Sequence, residues 1–158
     1  VKHGIQFEVV PGVTAASAVT SYAGIPLTHR GLSQGVNIIT GHCRNDLPLD
    51  MDWYKLADEN KTLVIYMGLA NIESICRHLI NAGLSPLTPA AAIENGATIK
   101  QRRLISNLQS LASDTQRAEM KAPVLFVIGK VVSLAEQLNW FVQEFVEEQA
   151  TAGMMQHG

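Results

Sequence analysis

The sequence predicts an α/β fold in which a mixed sheet is flanked by helices, and three observations carry that expectation. Short apolar runs at residues 36–40, 62–67, 89–94 and 123–128 alternate with segments whose apolar residues recur every three or four positions. Asn95-Gly96, a turn dipeptide between two strand-like runs, predicts one antiparallel pairing in a sheet otherwise connected through helices. Apolar residues make up 47% of the 158 and charged residues 16%, too apolar for disorder and too interrupted by polar residues for a membrane span, so a soluble globular domain is expected.

The elements follow in order. Residues 5–10 are apolar and β-branched and run into Pro11-Gly12, which predicts a short buried strand entering a turn. The small residues from Val13 to Val19, ended by Gly24, suit a helix whose backbone lies close to a neighbour. A polar loop over 26–35 leads to the strand at 36–40, and a second loop over 44–52 leads to a short amphipathic helix over 53–59. After the strand at 62–67 and Gly68, the stripe Leu69, Ile72, Ile75, Cys76, Leu79 and Ile80 predicts a helix, with Arg77 and His78 in its last turn and Gly83 beyond. The strand at 89–94 and the extended run at 98–106 form a looped pair; Asn107 is placed to cap a helix through about Arg117. The continuous run at 123–128 reads as a central strand. Ser133 with Glu136 fits a capping box, and Leu134, Leu138, Phe141, Val142, Phe145 and Val146 give a closing helix an apolar face, before a loose tail over 149–158.

Composition excludes more chemistry than it selects. A net charge of -2 offers no nucleic-acid or polybasic membrane surface, and two cysteines, Cys43 and Cys76, fit a reducing cytoplasm rather than a disulfide framework. No GxG glycine pair occurs, so the Rossmann fingerprint is absent, and Ser, His and Asp are not arranged in a recognisable triad signature. Cys76 and His78, two apart on a helix, point to different faces and make a poor metal pair, so no metal site is expected. Pro11 to Ala16 form a turn and helix start without bulky side chains, which reads either as a ligand-binding loop or as a close-packed turn. Tyr66-Met67-Gly68 and Glu94-Asn95-Gly96 end strands, where open α/β sheets bind ligands, although a core Met and a plain turn explain them as well. Lys100, Arg102 and Arg103, and separately His29-Arg30, read as solvated surface when taken alone.

Taken together, FEVVPGVTAASAVTSYAGIPLTHRGLSQGVNIITGH, TLVIYMG, PAAAIENGATIKQRR, APVLFVIGKVV and LNWF closely resemble the C-terminal part of the uroporphyrinogen-III branch of the tetrapyrrole methylase family, over nearly the whole chain. The resemblance implies transfer of methyl groups from S-adenosylmethionine to two pyrrole carbons of uroporphyrinogen III, on the route to sirohaem and cobalamin, in a homodimeric cytoplasmic enzyme whose donor lies between two α/β subdomains. It further implies donor contacts at Thr14 and Ala15, at Met67, and at the small residues Ala91 and Gly96. His29 and Arg30 are the cationic loop residues expected near a substrate with eight carboxylates.

By the same resemblance, residues 1–12 hold the last strand of an N-terminal subdomain, 13–148 form the C-terminal subdomain, and the acid-base residues of the family find no counterpart in this sequence, so no catalytic residue is assigned. Little or no activity is then expected of this polypeptide alone, an expectation that fits a chain opening on Val1. Gly35 stands where the family usually has Ser, and Ala97 where it has Thr. Two alternatives remain at this stage: another tetrapyrrole (precorrin) methyltransferase, and a non-catalytic binding or dimerisation module.

Overall fold

The computed structural model describes residues 2–42 and 49–141. Its elements are α1 (Ala15–Tyr22), β1 (Gly35–Thr40), α2 (Trp53–Leu56), β2 (Lys61–Tyr66), α3 (Ile72–Asn81), β3 (Pro89–Glu94), β4 (Arg102–Asn107), α4 (Leu111–Arg117) and β5 (Val124–Ile128), with 3-10 turns at Leu69–Asn71 and Lys130–Leu134. The strands form one sheet in the order β1-β2-β5-β3-β4. The β1–β2 pair is parallel and every other pair is antiparallel, so the sheet is mixed, as the sequence predicts.

Strand alternation divides the core into two layers. Leu63, Ile65, Ala90, Ala92, Phe126 and Ile128 face α3 and α4, whereas Val64, Ala91, Ile93, Leu125 and Val127 face α1 and the turn at Lys130–Leu134. Strand β5 is buried along its whole length because it has a strand on each side and packed side chains on both faces, which explains its uninterrupted apolar run. Helix α3 buries Ile72, Ile75, Cys76 and Leu79, one stripe at helical spacing. It ends at Ala82, where Gly83 at φ 109° lets the Leu84 amide reach back to the Leu79 carbonyl at 3.1 Å.

Four expectations are corrected. Residues 5–10 form no strand: they pair with no strand of the described sheet, and Ile5, Phe7, Val9 and Val10 are exposed. The helix expected over 53–59 stops at Leu56. Asn107 does not cap α4 but ends β4 opposite Pro89, and its Oδ1 accepts the Ser110 amide at 3.1 Å in a turn before the helix. The Ser133–Glu136 capping box is not made, because Ser133 Oγ donates to the Lys130 carbonyl at 2.7 Å and Glu136 pairs with Arg103. Val142, Phe145, Val146, Cys43 and the 149–158 tail lie outside the described residues.

Candidate functional site

The carboxyl ends of β2 and β3 and the start of β5 open onto one cleft of about 990 Å³, whose lining includes Ala15, Val19, Tyr66, Met67, Ala70, Gly96, Thr98, Ala122 and Pro123. Its floor is aliphatic, from Ile93, Val124 and Leu125, and its rim carries few polar side chains. Such a slot, at the size of a small-molecule site, suits a flat or thioether-bearing ligand held by backbone groups and soft apolar walls.

Its first wall is the start of α1. Thr14 is the N-cap residue, yet its side chain makes no capping bond; its Oγ1 is instead 2.6 Å from the Tyr66 hydroxyl, which also accepts the Ala16 amide at 2.6 Å. A phenol on the neighbouring strand therefore performs the capping task that Thr14 ordinarily would. Just past the α1 C-cap Ala23, Gly24 sits at φ 68° and would carry a Cβ only 2.6 Å from the Leu138 carbonyl oxygen.

The second wall is the end of β2. Met67 adopts φ 51°, a left-handed conformation that turns the chain sharply after Tyr66 and leaves its side chain 64% exposed beside the cleft. Behind it, Gly41 and Gly68 pack backbone to backbone, since a Cβ on Gly41 would lie 2.5 Å from the Gly68 Cα. The glycines that mark these strand ends in the sequence thus serve a close approach of two chain segments.

The third wall is the loop after β3. A Cβ built on Gly96 would lie 2.6 Å from Val19 Cγ2, so only glycine lets this loop seat against α1. Asn95 at φ 49° and Ala97 at φ 59° flank it, the Asn95 amide donates to the Pro123 carbonyl at 3.1 Å, and Gln101 Oε1 accepts the Ala97 amide at 2.8 Å.

Ala15, Met67 and Gly96, distant in sequence, therefore line one cleft, with Thr14 beside it through Tyr66. Ala91 is elsewhere: it is fully buried in the layer between β3 and α1 and is not part of the cleft lining. His29 and Arg30 are exposed on a tight loop bridged to Ser33 and also lie outside that lining. Of the basic cluster Arg103 is not solvated surface, whereas Lys100 and Arg102 are exposed. Arg102 pairs with buried Glu94 at 2.8 Å and donates to the Ala118 carbonyl, while Arg103 donates to the carbonyls of Ala23 and Ala135 at 2.7 and 2.8 Å. The Tyr66 clamp escapes sequence reasoning because its partners lie about fifty residues away, and a strand-end Tyr carries no local mark of a capping role.

Among the described residues no group of three His, Cys, Asp or Glu side chains gathers to hold a metal, and no helix is long and apolar enough to cross a membrane. Burial pushes the Cys76 thiol up to about 12, which makes it a packing group rather than a nucleophile.

Known proteins resemble this chain in sequence and in fold. The family model for tetrapyrrole (corrin/porphyrin) methylases matches residues 1–112. A siroheme synthase of Saccharophagus degradans is 49% identical over 140 residues, covering 89% of this chain and 30% of that protein. A siroheme synthase of Nitrosomonas europaea is 47% identical over 140 residues, covering 89% and 29% respectively. The chain thus spans about 30% of the length of these curated relatives. Among solved structures, a Thermus thermophilus uroporphyrin-III C-methyltransferase complexed with S-adenyl homocysteine superposes with a TM-score of 0.70 at 34% identity, over 83% of this chain and 54% of that one. A cobalt-precorrin-4 methyltransferase at 21% identity, with a TM-score of 0.73 over 83% of this chain and 55% of that one, shares the fold. With the family model matching well over half of the sequence and these folds superposing on its sheet, the chain belongs to the tetrapyrrole (corrin/porphyrin) methylases.

Proposed function

We propose that the cleft binds S-adenosylmethionine and that the chain supplies one side of the methyl-transfer site of a uroporphyrinogen-III C-methyltransferase. The observation that carries this reading is the convergence of Ala15, Met67 and Gly96 on a single apolar cleft, in a chain 34% identical to a methyltransferase whose structure holds S-adenyl homocysteine. The residues present fit the donor. Ala15, Ala70, Gly96 and Ala122 leave room for close backbone approach, and the exposed Met67 offers a polarizable wall to a ring or a sulfur.

The sulfonium supplies an already activated methyl group, so the protein's work is alignment and exclusion of water. Tyr66 fixes the α1 start, the 95–98 loop seats against Val19, and Ile93, Val124 and Leu125 keep the floor dry. His29 and Arg30, exposed and without an ion pair among the described residues, are the proposed contacts for the substrate carboxylates. Acid-base groups and the opposite wall are assigned to polypeptide outside this sequence, in keeping with relatives about three times as long, and the intact enzyme is assigned as a cytoplasmic homodimer.

Two measurements test the reading. Calorimetric titration with S-adenosylhomocysteine should give weak but saturable binding to this chain and tighter binding to a longer protein that includes the preceding sequence. The longer protein should methylate uroporphyrinogen III while this chain alone should not. Absence of binding to both would overturn the donor assignment, methylation by the chain alone would overturn the half-site assignment, and turnover only with later precorrins would overturn the substrate.

A further inference from the structure

We infer that Glu94 is a positioning residue that sets the two lips of this cleft, acting through Arg102 and the Lys121 amide; the inference rests on the reading of the cleft as the donor site. One lip is the loop holding Asn95, Gly96 and Thr98, and the other is the segment holding Ala122 and Pro123. Glu94 stands between them as the last residue of β3, paired with Arg102 on one side and Val124 on the other. Its side chain is only 6% exposed, and it is not part of the lining.

Each carboxylate oxygen ties one lip. Oε2 accepts Arg102 Nη1 at 2.8 Å, which pins the far end of the first loop, and Oε1 accepts the Lys121 amide at 2.8 Å, which pins the segment entering β5. Arg102 closes the circuit by donating Nη2 to the Ala118 carbonyl at 2.7 Å. Three non-glycine residues around this carboxylate, Asn95, Ala97 and Glu119, sit at φ 49°, 59° and 50°. Backbone in that region persists where surrounding contacts over-determine it. A buried carboxylate is a poor source of stability compared with an apolar side chain of the same volume, but its bonds are directional and fix distances. Those bonds run to the two segments a ligand in the cleft would touch.

The test uses Glu94→Gln, which keeps the shape and the acceptor for Lys121 while abolishing the ion pair, with Arg102→Met as a second route and Arg103→Met as a control that cuts a clamp elsewhere. Urea midpoints are measured for each variant alongside S-adenosylhomocysteine affinity. Loss of a charge-assisted bond predicts affinity lower by about tenfold in Glu94→Gln and Arg102→Met, while Arg103→Met loses stability yet stays within about twofold of wild type. Unchanged affinity in Glu94→Gln, or an equal fall in Arg103→Met, overturns the inference. Should the wild-type chain bind no S-adenosylhomocysteine, the affinities are read in the longer protein; should that bind none either, the donor reading fails by itself, and amide exchange then decides the latch. Faster exchange confined to residues 95–97 and 121 in Glu94→Gln supports it, and an unchanged or uniform exchange pattern refutes it.

Discussion

Replacing Gly96 by Ala puts a methyl group where the structure has no room. The added Cβ would lie 2.6 Å from Val19 Cγ2 and 2.9 Å from Val19 Cβ, against an ordinary carbon contact of about 3.5–4.0 Å. Either α1 or the 95–98 loop must then retreat by about 1 Å, since Val19 is β-branched and its preferred rotamer in a helix is nearly unique. Overpacking of this kind costs about 1–3 kcal/mol. Val19→Ala, which removes two methyl groups from a buried side chain, should cost about 1–2 kcal/mol by loss of burial and packing. In the double variant the shortened residue 19 admits the new methyl, so the two losses should fall short of their sum by about 1–2 kcal/mol. Urea denaturation of the four proteins, with m-values compared to confirm a common transition, reads this coupling directly. Additivity within about 0.5 kcal/mol would show that the Gly96–Val19 contact does not seat the loop, and the account of the third wall would fall with it.

Tyr66→Phe removes the hydroxyl that accepts the Ala16 amide and leaves the ring in place, so a loss of about 1–2 kcal/mol is expected, with amide exchange accelerated at Ala16. Thr14→Val should cost less, because the Ala16 bond survives; equal effects of the two substitutions would contradict the clamp. Cys76 in the folded chain holds its proton up to about 12 against an ordinary value of 9.0, so between those values the unfolded state binds fewer protons and stability falls as pH rises. In a Cys43→Ser background, Cys76→Ala should remove that part of the alkaline slope, and at neutral pH thiol reagents should modify Cys76 only as fast as the protein opens. Rapid labelling of the folded protein would refute its burial.

What could be read ahead of the structure follows from the range of the interactions involved. Helix α3 was legible because one stripe of side chains decides it, and the runs of β2, β3 and β5 were legible as strands because burial on both faces demands continuous apolar sequence. Residues 5–10 carry the same signal, but a strand needs a partner as well as a composition, and these residues pair with no strand of the described sheet. Ser133 and Glu136 have capping-box spacing, yet a longer-range partner, Arg103, takes the glutamate. Of the residues expected at the donor site, Ala15, Met67 and Gly96 line the cleft, and they were singled out as small or soft residues at a helix start and at strand ends together with the family resemblance. Arg103 was misread because it donates to the backbone carbonyls of Ala23 and Ala135, and a carbonyl looks the same at every position of a sequence.

The placement of β5 governs the order in which the chain can fold during synthesis. Among the described strands it is the last made, yet it fills the gap between β2 and β3, so the β1–β2 pair and the β3–β4 hairpin emerge as separate units whose facing edges, β2 and β3, are open. Until residues 124–128 arrive, both facing edges are unpaired and the aliphatic floor of the cleft is missing. Sheet closure and completion of the cleft floor are then one event, and a chain stopped short of Val124 has two half-sheets with nothing to join them.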